Sequence, residues 1–337
     1  MDKKKKLIRV TTADISLEGL LKGQLHFLNQ YFEVIGVASN TGKLQLVSER
    51  EGIRVVDISM HREISLWNDI KSLYALYRLF RREKPFIVHA NTPKGSLLSM
   101  VAAWAARIHN RIYLVTGLRY QGATGKMRMV LKTMERLSCV FATVVIPEGH
   151  GVRKTLIKDN ICKNPADVLH YGNINGIDTD YFSSNAVKIS KDEIRRQLGI
   201  EHDDFVFVFI GRIVRDKGMH ELVHAMKRLK GRNIKLLLVG RFEEELDPLE
   251  KDDERYLNES NSVVYVGWQK DVRPYLKAAD ALVFPSYREG FPNVPLQAGA
   301  MQLASIVTDI NGCNEIVVER ETGLLSHLVM LILYMRR

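Results

Sequence analysis

The feature that most constrains the fold of this chain is a repeated alternation of two hydrophobic patterns. Short apolar runs rich in β-branched residues are separated by amphipathic stretches with the 3.6-residue period of a helix, which is typical of successive βαβ units. Parallel strands need long crossover connections, and helices of this length supply them while covering both faces of the sheet. The alternation therefore predicts an α/β fold built on parallel sheets.

The alternation starts a second time partway along the chain. In the first half the predicted strands are Leu7–Val10, Val34–Ala38, Arg54–Ile58, Phe86–Ala90, Ile112–Thr116, Thr143–Ile146 and Asp167–His170. Helices are predicted between them, for example at Asp69–Arg82 and Gly95–Ile108. In the second half the predicted strands are Phe205–Ile210, Ile234–Val239, Val263–Val266, Ala281–Phe284 and Ser305–Thr308. The sequence therefore predicts two sheets rather than one.

A stretch rich in glycine and asparagine, residues 172–178, separates the two halves. Such residues tolerate the unusual backbone angles of turns, so an inter-domain connection belongs there. We predict two doubly wound Rossmann-like domains, residues 1–182 and 183–337. Ligands of such sheets bind outside the carboxyl ends of the strands, and we expect the active site in a cleft that the two domains face.

Charge is distributed unevenly between the halves. The chain has 337 residues and a net charge of +10; residues 1–182 carry 27 Lys and Arg against 16 Asp and Glu, and residues 183–337 carry 22 against 23. The excess is compatible with a solvated face, but it also suits a phosphorylated substrate, nucleic acid or an anionic lipid surface. No secretory leader and no apolar run long enough to span a bilayer is recognisable, so we expect a cytoplasmic protein.

The segment Gly211–Gly218 follows the predicted strand Phe205–Ile210 and leads into a helix that we expect to begin near Lys217. Gly211 allows a tight turn, and a helix N-terminus offers unpaired N–H groups to an anion. Arg212 and Lys217 would add a guanidinium fork and a point charge, which suit a diphosphate. On physical grounds alone, a strand–helix loop with surface cations fits equally well.

A second segment, Phe284–Gly299, also leaves a strand and enters a helix. Gly290 permits close approach of a ligand to the backbone, and Asn293 stands where a helix cap is expected. Glu289 precedes this helix in the loop, where a carboxylate has no evident packing role. The segment therefore predicts that the carboxylate of Glu289 accepts hydrogen bonds from hydroxyl groups of a ligand.

In this order and separation, the two motifs resemble those of the family 4 glycosyltransferases of the GT-B fold. They read Gly-Arg-x-x-x-x-Lys-Gly over residues 211–218 and Glu-Gly-Phe-Pro-Asn over residues 289–293. The resemblance covers nearly the whole chain and includes the glycine turn at residues 22–24 and the segments 88–94, 176–178 and 308–315. It implies a GT-B fold and a retaining glycosyltransferase that uses a UDP- or GDP-sugar.

The resemblance also implies roles for individual residues. Arg212 and Lys217 would neutralise the leaving diphosphate without a metal or other cofactor, and with Glu289 they are the catalytic candidates. The donor-binding candidates are Gly23, Gly211, Gly290, Phe291, Asn293 and Gln297. The acceptor-side candidates are His89, Asn91, Lys94 and Arg119.

Three departures from the family pattern are visible. Gln297 stands where the family has a second glutamate that contacts the ribose; an amide can still bond a hydroxyl, but without the charge. Thr116 stands where many members have a histidine. After residue 325 the family continues with a further βα element and a final helix, whereas this chain ends on the apolar run 328–335, which predicts a truncated C-terminal end.

The expected acceptor is a lipid-linked saccharide in capsule, O-antigen or exopolysaccharide assembly, with the protein peripheral at the inner face of the cytoplasmic membrane. Two alternatives stay open: a truncated, inactive remnant that still binds nucleotide, and a GT-B nucleotide-sugar epimerase. The epimerase is disfavoured because the chain offers few carboxylates and histidines for its cleft. A nucleic-acid partner is disfavoured because the arginines lack interleaved aromatic residues and no known module is present.

Overall fold

The computed structural model describes residues 4–61, 65–229, 231–243 and 247–327. The chain forms two compact units, Met1–Asn175 and Gly176–Arg337. This division falls inside the glycine- and asparagine-rich stretch 172–178, and the domain boundary between residues 182 and 183 stays a prediction. Within the four described ranges, no helix combines the length and apolarity that crossing a membrane requires.

The first unit contains a six-stranded parallel sheet in the order β3-β2-β1-β4-β5-β6. Its strands are β1 (Lys6–Ala13), β2 (Glu33–Ser39), β3 (Arg54–Asp57), β4 (Ile87–Ala90), β5 (Asn110–Val115) and β6 (Val144–Pro147). Its helices are α1 (Asp14–Gly19), α2 (Gln24–Asn29), α3 (Leu44–Glu51), α4 (Leu66–Glu83), α5 (Pro93–Ala105), α6 (Gly125–Phe141) and α7 (His150–Lys158). Successive side chains of β1 enter opposite cores, because Ile8 packs with Phe80 on one face and Leu7 packs with Leu25 on the other.

The second unit contains a six-stranded parallel sheet in the order β12-β11-β10-β7-β8-β9. Its strands are β7 (Phe205–Ile210), β8 (Ile234–Val239), β9 (Val263–Gly267), β10 (Ala281–Phe284), β11 (Ser305–Thr308) and β12 (Gly323–Ser326). Its helices are α8 (Lys191–Gln197), α9 (Met219–Arg228), α10 (Lys251–Glu259), α11 (Arg273–Ala278), α12 (Asn293–Ala300) and α13 (Cys313–Ile316). The two doubly wound sheets predicted from the sequence are confirmed.

In both sheets the first strand is central and pairs with strands that lead in opposite directions. β1 lies between β2 and β4, and β7 lies between β8 and β10. The strand order reverses at these two positions, and such reversals open the crevice at the carboxyl edge where ligands of doubly wound sheets bind. The loops that follow β1, β4, β7 and β10 are therefore the places to look for chemistry.

Two elements differ from the prediction. Asp167–His170 is not a strand: Ala166 donates its N–H to the carbonyl of Val145 at 2.8 Å, but Leu169 is 64% exposed and no ladder forms around it. The apolar side chain of Leu169 was misleading because it faces solvent. β12, which pairs with β11, was not predicted. The apolar run 328–335 lies outside the described residues.

Candidate active site

Loops from three neighbouring strands meet at the carboxyl edge of the second sheet. Tyr287, after β10, donates its N–H to the carbonyl of Asp216, after β7, at 3.0 Å. The guanidinium of Arg288 pairs with the carboxylate of Asp216 at 2.7 Å. Thr308, at the end of β11, donates its hydroxyl to the carbonyl of Ser286 at 2.5 Å. These bonds fix the relative positions of the loops.

Two glycines allow the loops to pack backbone against backbone. Gly218 has a φ of +71°, and a Cβ built on it would lie 2.0 Å from the carbonyl oxygen of Pro285. Gly312 has a φ of +76°, and its Cβ would lie 2.4 Å from the carbonyl oxygen of Gly290. Both distances are far below van der Waals contact, so only glycine fits at either position.

The centre of this loop cluster is an ion pair between Lys217 and Glu289. The lysine Nζ contacts Glu289 Oε1 and lies 3.5 Å from the hydroxyl oxygen of Ser286. Each side chain is 14% exposed, so the two charges are largely removed from water and depend on each other. The pair presents a preorganised ammonium and a carboxylate to any ligand that carries both phosphate and hydroxyl groups.

Arg212 lies apart from this pair. Its side chain is 46% exposed, and Nη1 lies 3.1 Å from a carboxylate oxygen of Glu243. The structure therefore brings Lys217 together with Glu289 and gives Arg212 a different partner. Catalytic roles for all three residues stay predictions.

The helix expected near Lys217 begins two residues further on, at Met219. Residues Arg215–Lys217 form a 3₁₀ turn, Gly218 is the N-cap, and α9 starts at Met219. The positive φ of Gly218 ends the 3₁₀ turn, and the α-helix begins directly after it. Lys217 therefore belongs to a turn rather than to the helix, and its ammonium is held by the ion pair with Glu289.

The other donor-side candidates surround the same edge. A Cβ on Gly240 would lie 1.8 Å from the carbonyl oxygen of Gly211, so the turns after β7 and β8 approach closely. Gly290 and Phe291 are buried. They precede α12, whose helical positions include Asn293 and Gln297.

The N-cap of α12 is Pro292, and Asn293 is its first helical residue. The prediction that Asn293 caps this helix was therefore wrong; the extended backbone of Pro292 (φ −72°, ψ 134°) fits the cap position instead. Asn293 and Gln297 are half-buried and stand four residues apart, so their amides share one face of the helix.

Several residues of the cluster were not singled out from the sequence. Ser286 is 1% exposed and bonds Lys217, and the hydroxyl of Tyr287 lies 2.5 Å from a carboxylate oxygen of Glu221. Burial and this hydrogen bond raise the pKa of Tyr287 to about 12. Ser286 and Tyr287 stand directly before Glu289, which is the one signal that could have flagged them.

At the carboxyl edge of the first sheet, threonines tie the strand ends together. Thr12, in β1, donates its N–H to the hydroxyl oxygen of Thr92 at 2.8 Å. Thr116, after β5, donates its hydroxyl to the carbonyl of Asn91 at 2.9 Å. The residue that stands in place of the family histidine thus positions the backbone of an acceptor-side candidate.

The acceptor-side candidates differ in how available they are. Asn91 is 1% exposed, and neither atom of its amide is hydrogen-bonded to a described residue, which is unusual for a buried polar group. Lys94 is buried, with Nζ 2.8 Å from Asp69. Arg119 is exposed in a 3₁₀ turn, Arg119–Gly122.

His89 lies beside a buried arginine. Its partner in the adjacent strand is Arg9, which is 0% exposed and whose side-chain nitrogens are not bonded to any described residue. Burial lowers the pKa of Arg9 to about 9. Burial and the charge of Arg9 together hold the pKa of His89 well below its usual range, so its imidazole is neutral at physiological pH.

Gly23 forms the predicted glycine turn, with a φ of +78°, at the N-terminus of α2. The N–H groups of Gly23 and His26 each donate to a different carboxylate oxygen of Glu51, both at 2.9 Å. The carboxylate of Glu51 thus lies at the N-terminus of α2, where a ligand anion would otherwise bind. A donor-binding role for Gly23 stays a prediction.

Known proteins resemble this chain over most of its length. A glycosyl transferase 4-like model matches residues 18–148, and a model of glycosyl transferases group 1 matches residues 190–327. The capsular polysaccharide biosynthesis glycosyltransferase CapM of Staphylococcus aureus is 34% identical over 324 residues, which cover 95% of this chain and 83% of the relative. The UDP-Gal:alpha-D-GlcNAc-diphosphoundecaprenol alpha-1,3-galactosyltransferase of Escherichia coli is 28% identical over 306 residues, 89% of this chain and 77% of the relative.

A solved structure shares the fold. The crystal structure of Anabaena Alr3699/HepE in complex with UDP-glucose matches with a TM-score of 0.82 at 18% identity, over 98% of this chain and 89% of that one. Three observations point to the same family: the two doubly wound parallel sheets, the loop motifs on the second sheet, and relatives aligned over nearly the whole chain. The chain belongs to glycosyltransferase family 4 and is a glycosyltransferase of the GT-B fold.

Proposed function

We propose that this glycosyltransferase moves a sugar from a UDP- or GDP-sugar to a lipid-linked saccharide, with retention of configuration, in the assembly of a surface polysaccharide. The observation that carries the proposal is the Lys217–Glu289 pair, held at the carboxyl edge of the second sheet by three loops. The relatives support it: one is named for capsular polysaccharide biosynthesis, and another for a UDP-sugar donor and a diphosphoundecaprenol-linked acceptor. The Anabaena protein holds UDP-glucose.

In this mechanism Lys217 meets the negative charge that develops on the departing nucleoside diphosphate. Its ammonium is already positioned by Glu289 and Ser286, so little reorganisation is needed as the bond to the anomeric carbon breaks. Glu289 accepts hydrogen bonds from hydroxyls of the transferred sugar, and the amide of Gln297 bonds the ribose. The acceptor hydroxyl attacks from the face that the diphosphate leaves and gives it the proton. No metal or other cofactor is needed for these steps.

We place the acceptor on the first unit. Asn91 offers a buried amide with unused hydrogen-bonding capacity, and Arg119 offers an exposed cation. A saccharide supplies hydroxyls for the amide, and the diphosphate of a lipid carrier supplies the anion for the guanidinium. Both residues follow neighbouring strands, β4 and β5, at the same edge of the sheet.

The helices around that edge carry a surface suited to a bilayer. In a parallel sheet the crossover helices begin at the carboxyl edge, so the first turns of α4 and α6 lie on the acceptor side. We define the apolar rim as their exposed apolar side chains near this end: Leu66 (79% exposed), Trp67 (71%), Ile70 (57%), Tyr74 (61%), Met127 (54%), Met129 (71%) and Val130 (45%). Exposed cations lie among them, including Lys71, Lys126 and Arg128.

Aromatic and aliphatic side chains interleaved with cations fit an anionic membrane interface, where the apolar groups insert and the cations meet lipid phosphates. The apolar rim would then bring Asn91 and Arg119 to the depth at which a lipid-linked diphosphate is presented. We therefore propose that the protein is peripheral at the inner face of the cytoplasmic membrane.

The membrane proposal predicts salt-sensitive binding to vesicles that contain anionic phospholipid, with weak binding to neutral ones. The double variant Trp67→Glu/Ile70→Glu should lower vesicle affinity by at least about tenfold, because it removes two insertable side chains and adds two negative charges. Trp268→Glu is a matched control, since Trp268 is 57% exposed on the second unit. Equal pelleting with neutral and anionic vesicles, or equal losses in both variants, would contradict the proposal.

The function itself is tested by assaying the full chain with a panel of UDP- and GDP-sugars, in the presence of a chelator, with and without an undecaprenyl-diphosphate-linked saccharide. We expect nucleotide release from one donor to depend on the acceptor, and a product with retained anomeric configuration. Gln297 stands where the family has a ribose-binding glutamate, and this substitution favours the alternative of an inactive remnant that still binds nucleotide. Nucleotide binding without release from any donor would support that alternative and refute transfer.

A further inference from the structure

Three side chains capable of binding a metal meet on the helix that follows the Lys217 loop. His220 and His224 stand four residues apart on α9 and share one face, with ring centroids 4.4 Å apart. Asp253, in the first turn of α10, faces them, and one ligand atom from each of the three residues lies within 4.8 Å of the others. The side chain of Asp253 is 5% exposed, whereas His224 opens to solvent.

Two imidazoles and one carboxylate are a donor set that zinc takes in proteins, with a water in the fourth position. Magnesium and calcium prefer all-oxygen sites, so the imidazoles select a transition-metal dication. We propose that His220, His224 and Asp253 bind Zn²⁺ or a similar ion between α9 and α10.

The pair formed by His220 and Asp253 requires only a small adjustment to bind an ion. Nδ1 of His220 lies 2.6 Å from Oδ2 of Asp253, joined by a hydrogen bond. Ligand atoms about 2.0–2.2 Å from a tetrahedral zinc are about 3.4 Å apart, so the two groups separate by about 1 Å as the ion replaces the proton. Binding of the ion therefore breaks this hydrogen bond.

Lys227 is the local competitor of the ion. Its Nζ lies 3.6 Å from Oδ1 of Asp253 and 5.3 Å from the ring centroid of Tyr256. In the ion-free protein this ammonium and His220 share the neutralisation of the buried carboxylate. A dication at the same carboxylate would be repelled by Lys227, so the lysine lowers metal affinity.

The ion would stabilise α9, the helix that follows the Lys217 loop of the loop cluster. α9 starts directly after Lys217 and Gly218, and Glu221, next to His220, bonds the hydroxyl of Tyr287. A metal bridge from α9 to α10 would reinforce the second unit without entering the Lys217–Glu289 pair. The inference thus goes beyond the proposed transfer reaction, and transfer does not depend on it.

The test is a calorimetric titration of the untagged full-length protein with Zn²⁺, with visible spectroscopy of Co²⁺ as a probe of tetrahedral coordination. We expect one ion per chain and a higher Tm that a chelator reverses. His224→Ala should keep the Tm of the ion-free protein, because the exposed imidazole of His224 makes no hydrogen bond to a described residue. It should weaken Zn²⁺ binding by more than about tenfold.

Two further variants separate a metal site from an ordinary ion pair. Lys227→Gln should bind Zn²⁺ more tightly than the wild type, whereas a purely structural ion pair predicts only lower stability. His202→Ala should leave binding unchanged, since His202 lies 3.0 Å from Asp203 in an exposed pair to which no described residue adds a third ligand. The inference is overturned if His224→Ala binds Zn²⁺ as the wild type does, or if the wild type binds it no better than His220→Ala/His224→Ala.

Discussion

Replacing Lys217 with alanine should lower the turnover of this glycosyltransferase by about 10²–10³-fold and weaken its binding of UDP and GDP. The ammonium is the cation held at the centre of the loop cluster, and its loss leaves the leaving-group charge without its preorganised partner. Turnover with the preferred donor and calorimetric titration with UDP and GDP measure the two effects. Arg212→Ala should have a smaller effect, because that side chain is 46% exposed and paired with Glu243.

The single variant also leaves the Glu289 carboxylate unpaired, where it would repel a diphosphate. The double variant Lys217→Ala/Glu289→Gln removes this repulsion, so a cycle with both single variants measures the coupling energy between Lys217 and Glu289. Arg215→Ala is the matched control, since Arg215 is an exposed cation on the same 3₁₀ turn. Unchanged nucleotide affinity in both Lys217→Ala and Arg212→Ala would remove the diphosphate assignment.

The fold could be predicted from the sequence where burial and periodicity coincide. Phe205–Ile210 and Ile234–Val239 are strands with the predicted bounds, because most of their residues are buried on one face or the other of the parallel sheet and are apolar. Asp167–His170 also contains adjacent apolar residues, yet Leu169 faces solvent, and the sequence alone does not show that exposure. β12 was missed because an edge strand of four residues carries little pattern.

The site was predictable in its residues and not in its contacts. Lys217 and Glu289 were identified as members of two sequence motifs. Their ion pair joins positions 72 residues apart, and neither motif by itself indicates that the two side chains meet. The partner of Arg212, Glu243, belongs to neither motif. Asn293 has the right chemistry for a cap, and the backbone of Pro292 determined otherwise. Side-chain partners depend on how strands are ordered in the sheet, which residue types alone do not specify.

Replacing Gly218 with alanine should destabilise the second unit and inactivate the enzyme. A non-glycine residue at a φ of +71° costs about 1–2 kcal/mol, and overpacking adds about 1–3 kcal/mol. The new Cβ would be 2.0 Å from the carbonyl oxygen of Pro285, so the loops after β7 and β10 must separate. We expect the free energy of unfolding to fall by about 2–5 kcal/mol, measured by denaturant titration.

Separation of these loops also breaks the contact between Lys217 and Glu289, so activity should fall further than the loss of folded protein explains. Gly267→Ala provides the matched control, because Gly267 has a φ of +70° and a Cβ there meets nothing within 4 Å. That variant carries the same backbone strain without the clash, and should lose about 1–2 kcal/mol while keeping its turnover. If the two variants lose equal stability and equal activity, backbone strain alone explains Gly218, and the loop contact has no role in positioning Lys217.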